Sequence, residues 1–138
     1  MIKDNDYSYF VISDPITVSV LSDFVTELEG PTPFSMAISY TTDPSMPNVK
    51  VEWSLLRPDN ETIISDAELR TKDWVDFNGG NTNLTIFPSK ATNENEDDRV
   101  REVVGLYSVK VFHTYDSVVK SFKVFTNIKP KGMYKFAS

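Results

Sequence analysis

The chain has 138 residues, of which 40% are hydrophobic and 12% aromatic, enough for one packed core and too apolar for a disordered segment. Its 20 acidic and 14 basic side chains give a net charge of −6, which excludes a nucleic-acid-binding domain, because that needs a basic face against phosphate. No run approaches the roughly 20 apolar residues of a membrane-spanning helix, so no membrane insertion is expected, and there is no cysteine to staple the fold.

Strand signals follow one another along the chain. Residues 1–14 read as an amino-terminal arm or first strand, containing "YFVIS" at 9–13. They have no apolar block after a basic start, so they do not read as a secretory signal. Asp14-Pro15 breaks the chain before the β-branched run "PITVSVL". "FSMAISYTT" (34–42) places Phe34, Met36, Ile38 and Tyr40 on one face, and "VKVEWSLL" (49–56) does the same with Val49, Val51, Trp53 and Leu55. Between them the two prolines of "DPSMPN" mark a loop. "RPDNET" is a turn before the short strand "TIIS", and "SDAELRTKD" (65–73) can form one helical turn capped by Ser65 or Asp66. "TKDWVDF" and "NLTIF" flank "NGGN", whose glycines tolerate the positive φ of a tight connection. Trp74 and Phe77 there read as core residues of an edge strand, the alternative being an exposed aromatic contact patch, and alternation allows only one of the pair on each face. "GLYSVKVFHTY" and "SVVKSFKVFTNI" form a closing hairpin, and 129–138 is a basic tail with three lysines and no acid. Eight or nine short strands, with no sustained helical periodicity, predict an all-β antiparallel sandwich.

Few residues carry chemistry. The segment "KATNENEDDRVREVV" (90–104) concentrates Asn93, Glu94, Glu96, Asp97, Asp98, Arg99 and Arg101. Its acids are hard oxygen donors of the kind calcium takes, but they lack EF-hand spacing. The expectation is a solvated acidic loop with partial counter-charges, and a candidate partner-binding loop, since recognition on rigid scaffolds sits on loops. His113 is the only histidine; no nucleophile elbow accompanies it, and one histidine without cysteine is too little for zinc. No catalysis, metal or cofactor is therefore expected. Asn60-Glu61-Thr62 and Asn83-Leu84-Thr85 have the form of glycosylation acceptors.

Several of these features resemble the immunoglobulin-like superfamily when taken in order. "PNVKVEW" is similar to the strand whose tryptophan, here Trp53, packs at the centre of such sandwiches, fifteen residues after Ile38. "NLTIF" resembles the strand carrying Leu84 and Ile86. "GLYSV" supplies Tyr107, the tyrosine of the tyrosine corner, two residues before Val109. The resemblance covers 15–128 and implies a Greek-key sandwich of about seven to nine strands, with Ile38, Trp53, Leu84, Ile86, Tyr107 and Val109 in the core. It also implies that Ile38 and Val109 occupy the positions that a disulfide usually links. Two departures stand out: Val103 replaces the usual Asp before Gly-x-Tyr, and the stretch between Ile86 and Tyr107 is long. A disulfide-free variant suits a reducing cytoplasm. The function implied is a non-enzymatic protein-interaction or structural module, an accessory or decoration domain of a virion or other assembly. The alternative is an extracellular, cell-surface recognition or adhesion domain of a larger protein. The expected partner is a protein; the oligomeric state stays open.

Overall fold

The computed structural model describes residues 16–42, 48–114 and 116–128. The expected arm at 1–14 (with "YFVIS"), residues 43–47, Tyr115 and the basic tail lie outside them. Period-two alternation dictates the strands. In β3 (Phe34–Thr42), Met36 and Ile38 turn inward. In β4 (Lys50–Leu56) the inward residues are Val51, Trp53 and Leu55, and in β8 (Gly105–His113) they are Tyr107, Val109 and Val111. Together with β1 (Ile16–Val20), β2 (Val25–Glu27), β5 (Ile63–Ile64), β6 (Val75–Asn78), β7 (Asn83–Ile86) and β9 (Asp116–Phe125), they form two sheets. One runs β1-β3-β7-β6 and the other β2-β9-β8-β4-β5. The first is the A-B-E-D order and the second contains the G-F-C order of an immunoglobulin-like sandwich. Among the described strands only β2 pairs in parallel, Val25 to Glu27 against Lys123 to Phe125 of β9.

The core fills the space between the sheets. Trp53 is 1% exposed and stacks on Phe122 with ring centroids 5.8 Å apart. Ile38 on β3 and Val109 on β8 are buried in the same cluster, so the positions of an inter-sheet disulfide hold aliphatic side chains. Each fully buried aliphatic group contributes about 1.5–3 kcal/mol, comparable to the roughly 2–4 kcal/mol of a typical crosslink. Trp74 is buried ahead of β6, whereas Val75 and Phe77 are half-buried.

Polar groups around Trp53 are matched one by one. Its indole N–H donates to the Asn81 carbonyl at 2.7 Å. That carbonyl is presented by a turn in which Gly79, Gly80 and Asn81 all have positive φ, which glycine and asparagine tolerate. The Trp53 backbone N–H, on the side of β4 that β5 leaves uncovered, donates to Asp66 Oδ2 at 2.9 Å. Asp66 opens α1 (Asp66–Leu69), capped by Ser65, and also pairs with Arg70, whose guanidinium lies 4.0 Å from the Phe77 ring centroid. The short helix therefore closes a strand edge.

At the opposite pole, the Tyr107 hydroxyl donates to the Val103 carbonyl at 2.5 Å, with the ring fully buried. Burial pushes this phenol far above its ordinary value, although the Arg57 charge pulls the other way, so it remains a donor. Val103 itself is fully buried and contributes its carbonyl. Gly105, with φ +147°, starts β8 where a Cβ would lie 2.4 Å from the Leu56 carbonyl oxygen. Tyr107→Phe is expected to lower stability by about 1–2 kcal/mol, and Gly105→Ala by ~3 kcal/mol. Urea denaturation midpoints measure both, and an unchanged midpoint for either would remove that contact from the account.

Candidate interaction surface

The acidic stretch is not the open loop its composition suggests. After a 3-10 turn at Pro88–Lys90 it forms α2 (Glu96–Glu102). Asn95 caps the helix, its side-chain oxygen accepting from the N–H groups of Asp97 and Asp98. Glu96, Asp97 and Asp98 occupy the first turn, where the helix dipole favours negative charge, and Arg99 and Arg101 the last, where it favours positive. Arg99 donates to the carbonyls of Asn93 and Glu94, and Arg101 pairs with Asp98. Glu102 accepts from the backbone and side-chain donors of both Thr92 and Asn93. Arg57, just beyond β4, donates to the carbonyls of Arg101, Glu102 and Val104 at 2.5–3.2 Å and covers the helix end. Asn93, Glu94 and Glu96 are exposed, while Asp97, Asp98, Arg99 and Arg101 are half-buried. Among the described residues no three His, Asp or Glu side chains converge as a metal would require.

His113 ends β8, half-buried, opposite Asp116 on the last rung of the hairpin.

The outer face of the five-stranded sheet has a different character. Register places Ile63, Leu56, Leu106, Lys123 and Val25 in one row that crosses all five strands. Neighbouring strands lie about 4.8 Å apart, so the row extends roughly 19 Å. Ile63 is 64% exposed, Val25 57% and Leu106 37%, and Lys123 is its only charge. The next row is Ser54, Ser108 and Ser121, with the last two hydroxyls 3.0 Å apart. Beyond it lie Glu52, Lys110 and the 54%-exposed Val119. Leu21 and Phe24, beside β2, are also largely exposed. At the pole end of the apolar row, Leu56, Pro58, Leu106 and Phe125 line a groove of about 330 Å³. Lone exposed apolar residues are ordinary, whereas here several are aligned by register and rimmed by polar groups. None of these residues stood out in the sequence. The available signal was Leu106 and Val119, each out of phase with the buried residues of its own strand.

No family model matches the chain, and no curated protein matches it. Among solved structures, extracellular domains 3–5 of Drosophila OTK are similar, with a TM-score of 0.53, 12% identity, and 80% of this chain covered. The match spans 30% of the OTK chain's own length. A chimeric titin Z1Z2 structure is also similar, at 18% identity and a TM-score of 0.46, covering 83% of this chain and 95% of that one. With the strand order, the likeness to OTK identifies an immunoglobulin-like β-sandwich.

The donor-rich cradle around Glu102 has a pH signature. Partial burial pushes its carboxyl up, but the donors of Thr92 and Asn93 outweigh burial and hold it below the ordinary 4.5. The stabilisation is then complete above the unfolded-state value and is lost as pH falls through the lower folded value. Asp59, bonded by the N–H of Thr62, the N–H of Glu61 and the Thr62 hydroxyl, sits at about 2 and adds loss in the same direction. Denaturation midpoints measured from pH 6 to pH 2 are expected to fall less steeply for Glu102→Gln than for the parent chain. Parallel curves would show that the cradle does not stabilise the fold.

Proposed function

We propose that this protein is a non-enzymatic protein-docking module whose contact surface is the outer face of the five-stranded sheet. One observation carries the reading: the Ile63–Leu56–Leu106–Lys123–Val25 row, apolar but for one lysine, in which Ile63, Leu106, Lys123 and Val25 are exposed and Leu56 is half-buried. Burying such a row contributes about 25 cal/mol per Å² of apolar surface, and the serines beside it provide hydrogen bonds at no charge cost. The 93–101 segment is the rival surface, but its arginines and Asn93 are already committed to holding α2. The general role agrees with the interaction modules built on this sandwich, which is an argument from fold. An accessory domain on a virion or other assembly and a cell-surface recognition domain would both use such a face.

Affinity capture from native material separates these possibilities. The expected result is retention of one protein at fixed stoichiometry. That retention should fall at least tenfold for Leu106→Glu or Val25→Glu and persist for Glu94→Lys with Glu96→Lys. All the altered side chains point outward, so denaturation midpoints should hold. Loss through the loop variants alone would move docking to α2. The partner, a shell component or a membrane-associated receptor, then identifies the setting.

A further inference from the structure

The two Asn-x-Thr triplets are equivalent as sequence, yet the fold treats them differently. We propose that Asn60 is an N-linked glycosylation site of this protein and that Asn83 is not. Asn60 lies at the tip of the 57–62 turn between β4 and β5, exposed, with φ +61°. That turn closes without its carboxamide. Arg57 N–H donates to the Thr62 carbonyl, Asn60 N–H donates to the Arg57 carbonyl, and Asp59 gathers Glu61 and Thr62. A bulky, soluble substituent on Asn60 projects into solvent and breaks nothing.

Asn83 is placed otherwise. It lies in β7 between β3 and β6, facing Ala37 on one side and Asn78 on the other. Its side chain is half-buried and the Oδ1 atom is enclosed. Paired on both sides, the strand keeps this triplet in an extended ladder rather than in an open turn.

In the modification, Asn60 Nδ2 attacks the anomeric carbon of an oligosaccharide carried on a polyprenyl diphosphate. A C–N bond forms, the C–O bond to the diphosphate breaks, and the polyprenyl diphosphate leaves while the amide gives up one proton. The chain must then pass through the compartment that holds this donor. Nothing in the core forbids that passage, since Ile38 and Val109 fill the crosslink positions and the fold does not depend on redox state. Asn60 also borders the groove at the Leu56 end of the apolar row, so a glycan there confines a docking partner to the β9 and β2 side.

The test uses the chain purified from its native source. Trypsin leaves the Arg57-Pro58 bond intact, so residues 51–70 carry Asn60 and residues 73–90 carry Asn83 on separate peptides. Peptide-N-glycosidase in heavy-oxygen water converts a glycan-bearing asparagine into labelled aspartate, which mass spectrometry locates. Label at Asn60 alone is the expected result. Absence of label on both peptides, or label at Asn83, overturns the proposal. The capture variants alter Leu106 and Val25 rather than Asn60, so a failed label leaves the docking reading to be decided by them.

Discussion

The structure depends most on the corner where Tyr107, Arg57 and the end of α2 meet. A buried phenol must donate its proton, because an unpaired buried hydroxyl costs about 1–3 kcal/mol; Val103 provides the acceptor at 2.5 Å. Meeting that requirement fixes the chain reversal before β8 and draws the last turn of α2 against the sandwich. The helix end then brings its own demand, since terminal carbonyls have no partner within the helix. Arg57 meets it with bonds to the Arg101 and Glu102 carbonyls and adds a third to Val104, just past the helix. The fork-shaped guanidinium suits this task, offering several donors in one rigid plane. The carbonyl-based solution also explains how Val103 can stand where an Asp is usual: the position contributes its backbone, and its apolar side chain joins the core. Gly105 follows from the same close approach, because any Cβ would strike the chain leaving β4.

The rest of the sandwich repeats this logic at smaller scale. The Trp53 indole N–H gains from an acceptor when buried, and the 79–81 turn presents the Asn81 carbonyl to it. β5 is only two residues long, which leaves part of the β4 edge uncovered; Asp66 takes up the Trp53 amide there. The polar atoms of Trp53 and Tyr107 are thus matched, and Ile38 and Val109 pack into the same core from the two sheets.

Much of this was legible because alternation is a strong signal when one face is buried. β3, β4 and β8 each show it over several inward residues, and the Ile38, Trp53, Tyr107 and Val109 spacing carried the superfamily resemblance. β2 was not legible: three residues with one half-buried threonine have no periodicity, and only the parallel pairing with β9 defines them as a strand. The acidic stretch was misread for a different reason. Charge density suggests solvation, whereas the positions of the charges spell a helix, with Asn95 as cap, acids in the first turn and arginines in the last. Seven residues are too few for a hydrophobic period to show; Val100 is their only buried side chain.

The apolar row escaped the sequence reading because alternation assigns residues to two faces without saying which face stays uncovered. In β9 the adjacent Val118 and Val119 point to opposite sides, and both satisfy a strand propensity equally well. Only the pairing of all five strands shows that Ile63, Leu56, Leu106 and Val25 line up on the side away from the core. The contrast with the α2 pole then becomes informative. At that pole the arginines and the Glu102 carboxylate are used to hold the fold, so the segment rich in charge has little left to offer a partner. The sheet face contributes little to the core and still exposes large aliphatic side chains where polar residues would serve solubility better. The charge-rich pole is thus occupied with holding the fold, while the large exposed aliphatic side chains lie on the sheet face, opposite to what charge alone suggested.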